Sequence, residues 1–247
     1  MSRFANKFKE SLSFKIAVIV GGLVLVLLLL MVSPIFYVQE VVIQGNMRVN
    51  DNNIRANLDI GPTTNILMLN TSTARRRVMQ NLYIDGVSFR RDLPNRLYVT
   101  VFERRPSAYI EHLGSFLYLD EMGRVLEVRP YMDDPLPLLE GLRFSRFQLG
   151  EILETYNQAD FASVVHYTQL LVNHGLIDRI SHINVTDPGN MRILVDYVEF
   201  NVGDVSYADR KVRTILAVLE QTPGIELMRG FVDIREIRAE FSLELLQ

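Results

Sequence analysis

Four histidines, His112, His166, His174 and His182, are the side chains of this sequence best suited to move a proton or hold a metal near neutral pH. None of them forms the His-Glu-x-x-His spacing of a zinc-binding helix, and the chain has no cysteine to complete a metal set. They read as ordinary surface or helix-end residues. Nucleophilic hydrolysis needs a serine activated by a base, yet neither a G-x-S-x-G elbow nor an S-x-x-K sequence occurs. Asp133-Asp134 sets two carboxylates side by side, but next to Pro135 they fit a solvated turn, whereas glycoside hydrolysis needs carboxyls opposed across a cleft. Arg75-Arg76-Arg77 fans over about 200° of a helix at about 100° per residue, a solvated face flanking a buried stripe. Contact with anionic headgroups or another protein is the sharper alternative for these arginines. No glycine-rich phosphate loop is present. The expectation is a chain with no catalytic residues, no metal and no cofactor, whose work is recognition.

The first forty residues set where that recognition takes place. Arg3, Lys7, Lys9 and Lys15 stand against Glu10 alone, and no charged side chain follows from Ile16 to Gln39. The apolar heart, Ile16 to Val32, is about 25 Å of helix at about 1.5 Å per residue, and its uncharged flanks extend it across a bilayer core of about 30 Å. A cleaved signal sequence has the same charge pattern, but its core is shorter and a small-residue cleavage site follows. Here Ser33-Pro34-Ile35-Phe36-Tyr37 follows, without such a site, and Phe36 and Tyr37 suit the headgroup region. We expect a cytoplasmic tail at 1–15, a retained transmembrane helix at 16–37, and the bulk outside the cytoplasm, because the basic side stays in. The tail uses four of the 26 basic and one of the 29 acidic residues, leaving 22 against 28 beyond it. That net negative remainder argues against a nucleic-acid partner. Without disulfides, the outer part must be held by one or two hydrophobic cores.

Beyond the anchor, Val38 to Gln44 reads as a strand closed by Gly45-Asn46. Asn50 caps a helix over Asp51 to Leu58, with Gly61-Pro62 as its stop, and a second helix from Thr71 or Ser72 carries a stripe of Ala74, Val78 and Leu82. Two strands around Leu93-Pro94-Asn95 complete a small α+β unit, with Leu97, Val99 and Val101 alternating on the second. From Tyr109 the character turns to β. A hairpin pairs Ser115–Leu119 with Arg124–Val128 across Gly123, and the Pro-rich stretch 130–137 leads to a helix over about 158–174. Strands at about 180–185, 191–195 and 199–202 precede a helix over about 207–221, and strand-like runs at 231–234 and 237–245 follow it.

Gly45-Asn46, the Arg91-Asp92-Leu93-Pro94-Asn95-Arg96-Leu97 hairpin and Glu103-Arg104-Arg105-Pro106-Ser107-Ala108 occur in order after one N-terminal anchor. Softer pieces are Tyr118-Leu119-Asp120 with Gly123, Leu136-Pro137-Leu138 before Gly141, Val202-Gly203 with Lys211, and Val232-Asp233-Ile234-Arg235. Together they resemble the bacterial cell-division family FtsQ/DivIB. The resemblance implies a transmembrane helix, then an α+β POTRA-like domain at 38–106, then a mixed, β-rich α+β domain at 107–247. It also implies a non-enzymatic scaffold of the division machinery in the cytoplasmic membrane at the septum. Partners would be single-pass proteins of the FtsB/DivIC and FtsL type and, through them, the septal peptidoglycan synthesis machinery. A membrane-anchored extracytoplasmic hydrolase and a POTRA-type transport or assembly component are the alternatives. The first lacks a catalytic constellation; the second would need repeated POTRA units and a run of barrel strands.

The partner site is expected on the C-terminal run, at Ile237, Arg238, Ala239, Glu240, Phe241 and Ser242. Ile237, Ala239, Phe241, Leu243 and Leu245 alternate with polar residues, which is strand periodicity with one apolar face. A helix is also open, since Ile237, Phe241 and Leu245 stand four apart; the family's terminal β strands favour a strand. A strand at a sheet edge would offer unpaired backbone groups to a partner. The plain alternative is that it only completes the core.

Overall fold

The computed structural model describes residues 2–132, 134–187, 189–236 and 240–245, with the side chains of 2–13, Phe241 and Leu245 outside the description. The chain divides into two compact units, Met1–Glu103 and Arg104–Gln247. Each has its own buried core.

The first unit opens with α1, Ser2–Met31, so the helix also takes in most of the segment expected as a tail. Its stretch Phe14–Met31 is, among the described residues, the one helix long and apolar enough to cross a membrane. Pro34 starts a single 3-10 turn, and Ser33 accepts a hydrogen bond from the Ile35 N–H. Phe36 packs against the core of the following domain, and its carbonyl accepts from Ile66 N–H at 2.8 Å.

That domain runs β1 (Glu40–Gln44), α2 (Asp51–Leu58), α3 (Thr71–Val78), β2 (Ile84–Asp92) and β3 (Arg96–Glu103). The sheet order is β1-β3-β2, with β1 parallel and β2 antiparallel to the central strand. Asn50 and Asn70 cap the two helices, accepting from Asn52 N–H at 2.8 Å and Thr73 N–H at 3.1 Å. Ile54 and Leu58 on α2, with Ala74 and Val78 on α3, bury their four-apart stripes against Leu97, Val99 and Val101 of β3. Two details differ from the sequence expectation. Helix α2 spans Asp51–Leu58 as expected, but its stop is Asp59 in the left-handed region (φ 52°) rather than Gly61-Pro62. Helix α3 ends at Val78, so Leu82 lies half-buried in the next turn while Ile84 enters the core at 2% exposure. The three arginines are exposed, and Arg77 reaches Asp59 at 2.7 Å.

The second unit begins with β4 (Pro106–His112), β5 (Ser115–Asp120) and β6 (Val125–Arg129). Three short strands follow: β7 (Leu138–Glu140), β8 (Phe144–Arg146) and β9 (Glu154–Thr155). Then come α4 (Gln158–Asn173), β10 (Ile180–Asn184), β11 (Met191–Val195), β12 (Val198–Gly203), α5 (Ala208–Gln221), β13 (Met228–Asp233) and β14 (Glu240–Leu245). Among the described residues the main sheet has nine strands in the order β14-β13-β12-β11-β10-β7-β4-β5-β6, and β8 pairs with β9. Phe161, Val164, Tyr167 and Leu171 of α4 and Val212, Ile215 and Leu219 of α5 join the alternating apolar residues of the strands in one core. Because β12 and β13 are parallel, the chain needs a crossover between them, and α5 supplies it.

Candidate partner-binding edge

The α5 crossover is fixed by a buried cation. Lys211 sits on the apolar face of α5 at 1% exposure, and its Nζ donates to the Asp204 carbonyl at 3.0 Å and to Asp204 Oδ1 at 3.2 Å. The Tyr167 hydroxyl donates to the same carbonyl at 3.0 Å, so α4 and α5 together hold the loop that leaves β12. The hydrogen bond from Lys211 keeps the Asp204 carboxyl below the usual carboxylate range, and burial raises the Tyr167 hydroxyl well above its own. At the start of this loop Gly203 has φ +64°, and a Cβ there would lie 2.8 Å from Arg235 Cγ. The β12–α5 loop therefore rests against the residues that follow β13.

β13 is held between two neighbours. It runs parallel to β12, Val198 opposite Gly230 through Asn201 opposite Asp233, and antiparallel to β14, Met228 opposite Leu245 through Asp233 opposite Glu240. Val232 is fully buried, and Leu243 packs half-buried against the same core. Gly230 permits the approach of β14: a Cβ on it would stand 2.1 Å from the Ser242 carbonyl oxygen and 2.8 Å from Leu243 Cα. Glu240, Ser242 and Glu244 are exposed. β14 ends the sheet, and among the described residues no strand pairs with its outer edge.

The polar side of this hairpin is acidic. Asp233 and Glu240 are directly opposite. Arg235 is committed to Asp233, with Nη2 2.6 Å and Nε 2.9 Å from Oδ2. That bond, reinforced by the Arg235 backbone N–H, holds the Asp233 carboxyl below its ordinary value of 3.8. A depressed pKa means the stabilisation is complete above the unfolded value and is lost only as pH falls through the folded one. The turn therefore keeps this ion pair at neutral pH and weakens only in acid. Asp233, Arg235, Glu236 and Glu240 line a recess of about 430 Å³.

Of the residues expected to bind a partner, Glu240, Phe241 and Ser242 lie on β14, while Ile237, Arg238 and Ala239 fall outside the described residues. The strand and helix periodicities left open by the sequence resolve to strand over Glu240–Leu245. The histidines do not converge: His112 packs on Phe144 with ring centroids 4.8 Å apart, His174 Nε2 lies 3.5 Å from Asp209 Oδ1, and His182 Nε2 lies 4.0 Å from Glu140. Among the described residues no group of three or more His, Asp or Glu side chains could hold a metal. Elsewhere in this unit an open cleft of about 640 Å³ passes over Tyr109, His182, Leu194 and Tyr197, a feature periodicity did not foreshadow.

Comparison with known proteins bears on both units. The family described as "POTRA domain, FtsQ-type" matches residues 36–104. The cell division protein DivIB of Clostridium tetani is 23% identical over 203 residues, covering 81% of this chain and 77% of that protein. The cell division protein FtsQ of Syntrophotalea carbinolica is 31% identical over 142 residues, 53% of this chain and 50% of its own length. Residues 36–104 match the FtsQ-type POTRA domain, and the chain as a whole is similar to cell division proteins named DivIB and FtsQ. The solved major extracytoplasmic domain of DivIB from Geobacillus stearothermophilus also matches, at 20% identity and TM-score 0.31, over 49% of this chain and 97% of that one.

The motif residues that carry the FtsQ/DivIB resemblance have physical tasks here. Glu103 clamps the loop after β1, accepting from Arg48 N–H at 2.8 Å and Val49 N–H at 2.9 Å. Asp120 Oδ1 accepts from the Met122 and Arg124 N–H groups at 2.9 and 2.8 Å, shaping the turn that Gly123 completes at φ +76°. Glu103→Ala should leave two backbone donors without their acceptor. We expect a loss of about 1–3 kcal/mol, read from urea unfolding, with Glu103→Gln recovering part of it. Equal stability of wild type and Glu103→Ala would remove the clamp from this account.

Proposed function

We propose that this chain is a non-enzymatic, membrane-anchored scaffold of the bacterial division machinery. Its N-terminus lies in the cytoplasm and its two folded units outside, at the septum. It docks a strand of another division protein, of the single-pass FtsB/DivIC or FtsL type, along the outer edge of β14, and so links that partner to septal peptidoglycan synthesis. The observation that carries the docking step is the position of β14 at the end of the sheet, where half of its backbone N–H and C=O groups point away from β13. The relatives' names supply the cell-division setting. The basic residues before Ile16 and the apolar Phe14–Met31 helix supply the orientation.

Two measurements test it. A reporter active only outside the cytoplasm, fused after Gln247, should be active; activity of a cytoplasmic reporter there would reverse the topology. Proline and alanine are then placed in turn at Glu240, Ser242, Leu243 and Glu244, and capture of the partner is measured by cross-linking in living cells. Proline removes one backbone donor and alanine does not. At alternate positions the lost donor faces outward, and those proline variants should fold normally and lose capture. If every folded proline variant captures as well as its alanine counterpart, strand pairing is not the mechanism.

A further inference from the structure

Resting on that reading of β14 as a docking edge, we propose that the strand it accepts is basic along its solvent side and apolar along its core side. Lysine or arginine would stand opposite Glu240 and Glu244, with apolar residues between them.

An incoming strand places one residue directly opposite each β14 residue, with Cβ atoms about 4.5–5.5 Å apart, and charge pairs at that range are felt. The exposed positions that meet it are Glu240, Ser242 and Glu244. Glu244 already has Arg229 across from it on β13, but Glu240 faces Asp233, a like charge directly opposite. Such a pair is unfavourable. Arg235 attends to Asp233, and among the described residues the recess beside them is lined by the carboxylates of Asp233, Glu236 and Glu240 and by the Arg235 guanidinium. A cation arriving opposite Glu240 would offset that excess, and a carboxylate would add to it. On the other side of the strand, half-buried Leu243 sits at the margin of the core, so the residue that extends this face is apolar. The same charges disfavour a second copy of this chain as the occupant, because two β14 edges brought together antiparallel would set glutamates against glutamates.

The test uses the full chain in neutral-lipid nanodiscs and two fluorescent peptides of one alternating apolar pattern, with lysine at the polar positions of one and glutamate at those of the other. Binding is measured by anisotropy at about 0.15 M salt, where exposed charges are screened beyond about 8 Å. Two cross-strand pairs, attractive with lysine and repulsive with glutamate, predict roughly tenfold tighter binding of the lysine peptide. The double variant Glu240→Lys/Glu244→Lys should invert the preference without threatening the fold, since both side chains are exposed. Gly230→Val, which keeps the net charge, should abolish binding of either peptide. Equal binding of both peptides, lost in Gly230→Val, would leave the docking edge standing and overturn the basic-strand inference. Lysine-peptide binding that survives Gly230→Val would trace the preference to general surface charge and overturn it too. If neither peptide binds, the docking edge itself fails and takes the inference with it.

Discussion

Gly230→Val is expected to abolish partner capture while leaving the rest of the second unit folded. A Cβ at this position would stand 2.1 Å from the Ser242 carbonyl oxygen, an atom of the β14 backbone that no side-chain rotation can move. Valine adds two methyl groups to the clash, so β14 must leave its register or leave β13 altogether. β13 itself remains anchored, because its other neighbour β12 pairs with it from Val198–Gly230 to Asn201–Asp233 and Val232 stays in the core. The loss is thus confined to the hairpin. Cross-linking in living cells from Ser242 should fall at least tenfold, while the far-ultraviolet circular dichroism and the main unfolding transition stay close to wild type. Arg229→Val, one residue away and exposed, should keep most of the capture. Wild-type capture by Gly230→Val would mean that the partner does not read β14.

How much of this was legible in sequence depends on what positions each element. The first domain announces itself through local chemistry: one asparagine cap, two short apolar stripes and alternating strands agree with one another, and all five expected elements form in the expected order. The stripe on α3 was read one turn too far. The same four-residue spacing runs on to Leu82, but Ile84 of β2 fills the core instead. In the second unit the long helices and the hairpins were readable for the same reason. β7, β8 and β9 were not, because strands of two or three residues carry no periodicity, and β7 exists through its parallel neighbours β4 and β10.

The site divides in the same way. Alternation in the last residues reveals a strand, but it cannot say which neighbour the strand takes or which edge stays open; that follows from the parallel β12–β13 step. The acidic recess was equally hidden, since Asp233 and Glu240 meet only through hairpin register. Lys211 did leave a trace. It stands three residues after Ala208 and four before Ile215, on the buried stripe of α5, and a lone cation on such a stripe asks for a buried acceptor.

Gly45→Ala is expected to unfold the isolated first domain, 36–104. Gly45 has φ +85°, and a Cβ on it would lie 2.4 Å from the carbonyl oxygen of Val101. Val101 belongs to β3, the central strand paired on both sides, so the obstacle cannot step aside without disturbing the whole sheet. Holding alanine in this region of φ costs about 1–3 kcal/mol before any displacement is counted. A single core in a domain of this size rarely supplies more than about 3–5 kcal/mol, so most of its stability would be gone. The neighbouring Asn46→Ala variant calibrates the effect: it removes side-chain hydrogen bonds to the Val49 carbonyl and Asp51 Oδ1, at 2.9 and 2.7 Å, for about 1 kcal/mol. Urea unfolding followed by circular dichroism should show one cooperative transition for the wild-type fragment, a small shift for Asn46→Ala, and little folded baseline for Gly45→Ala. A Gly45→Ala midpoint equal to wild type would show that the Gly45–Val101 approach does not constrain the fold. A wild-type fragment without a cooperative transition would instead show that the division at Glu103–Arg104 is not a folding boundary.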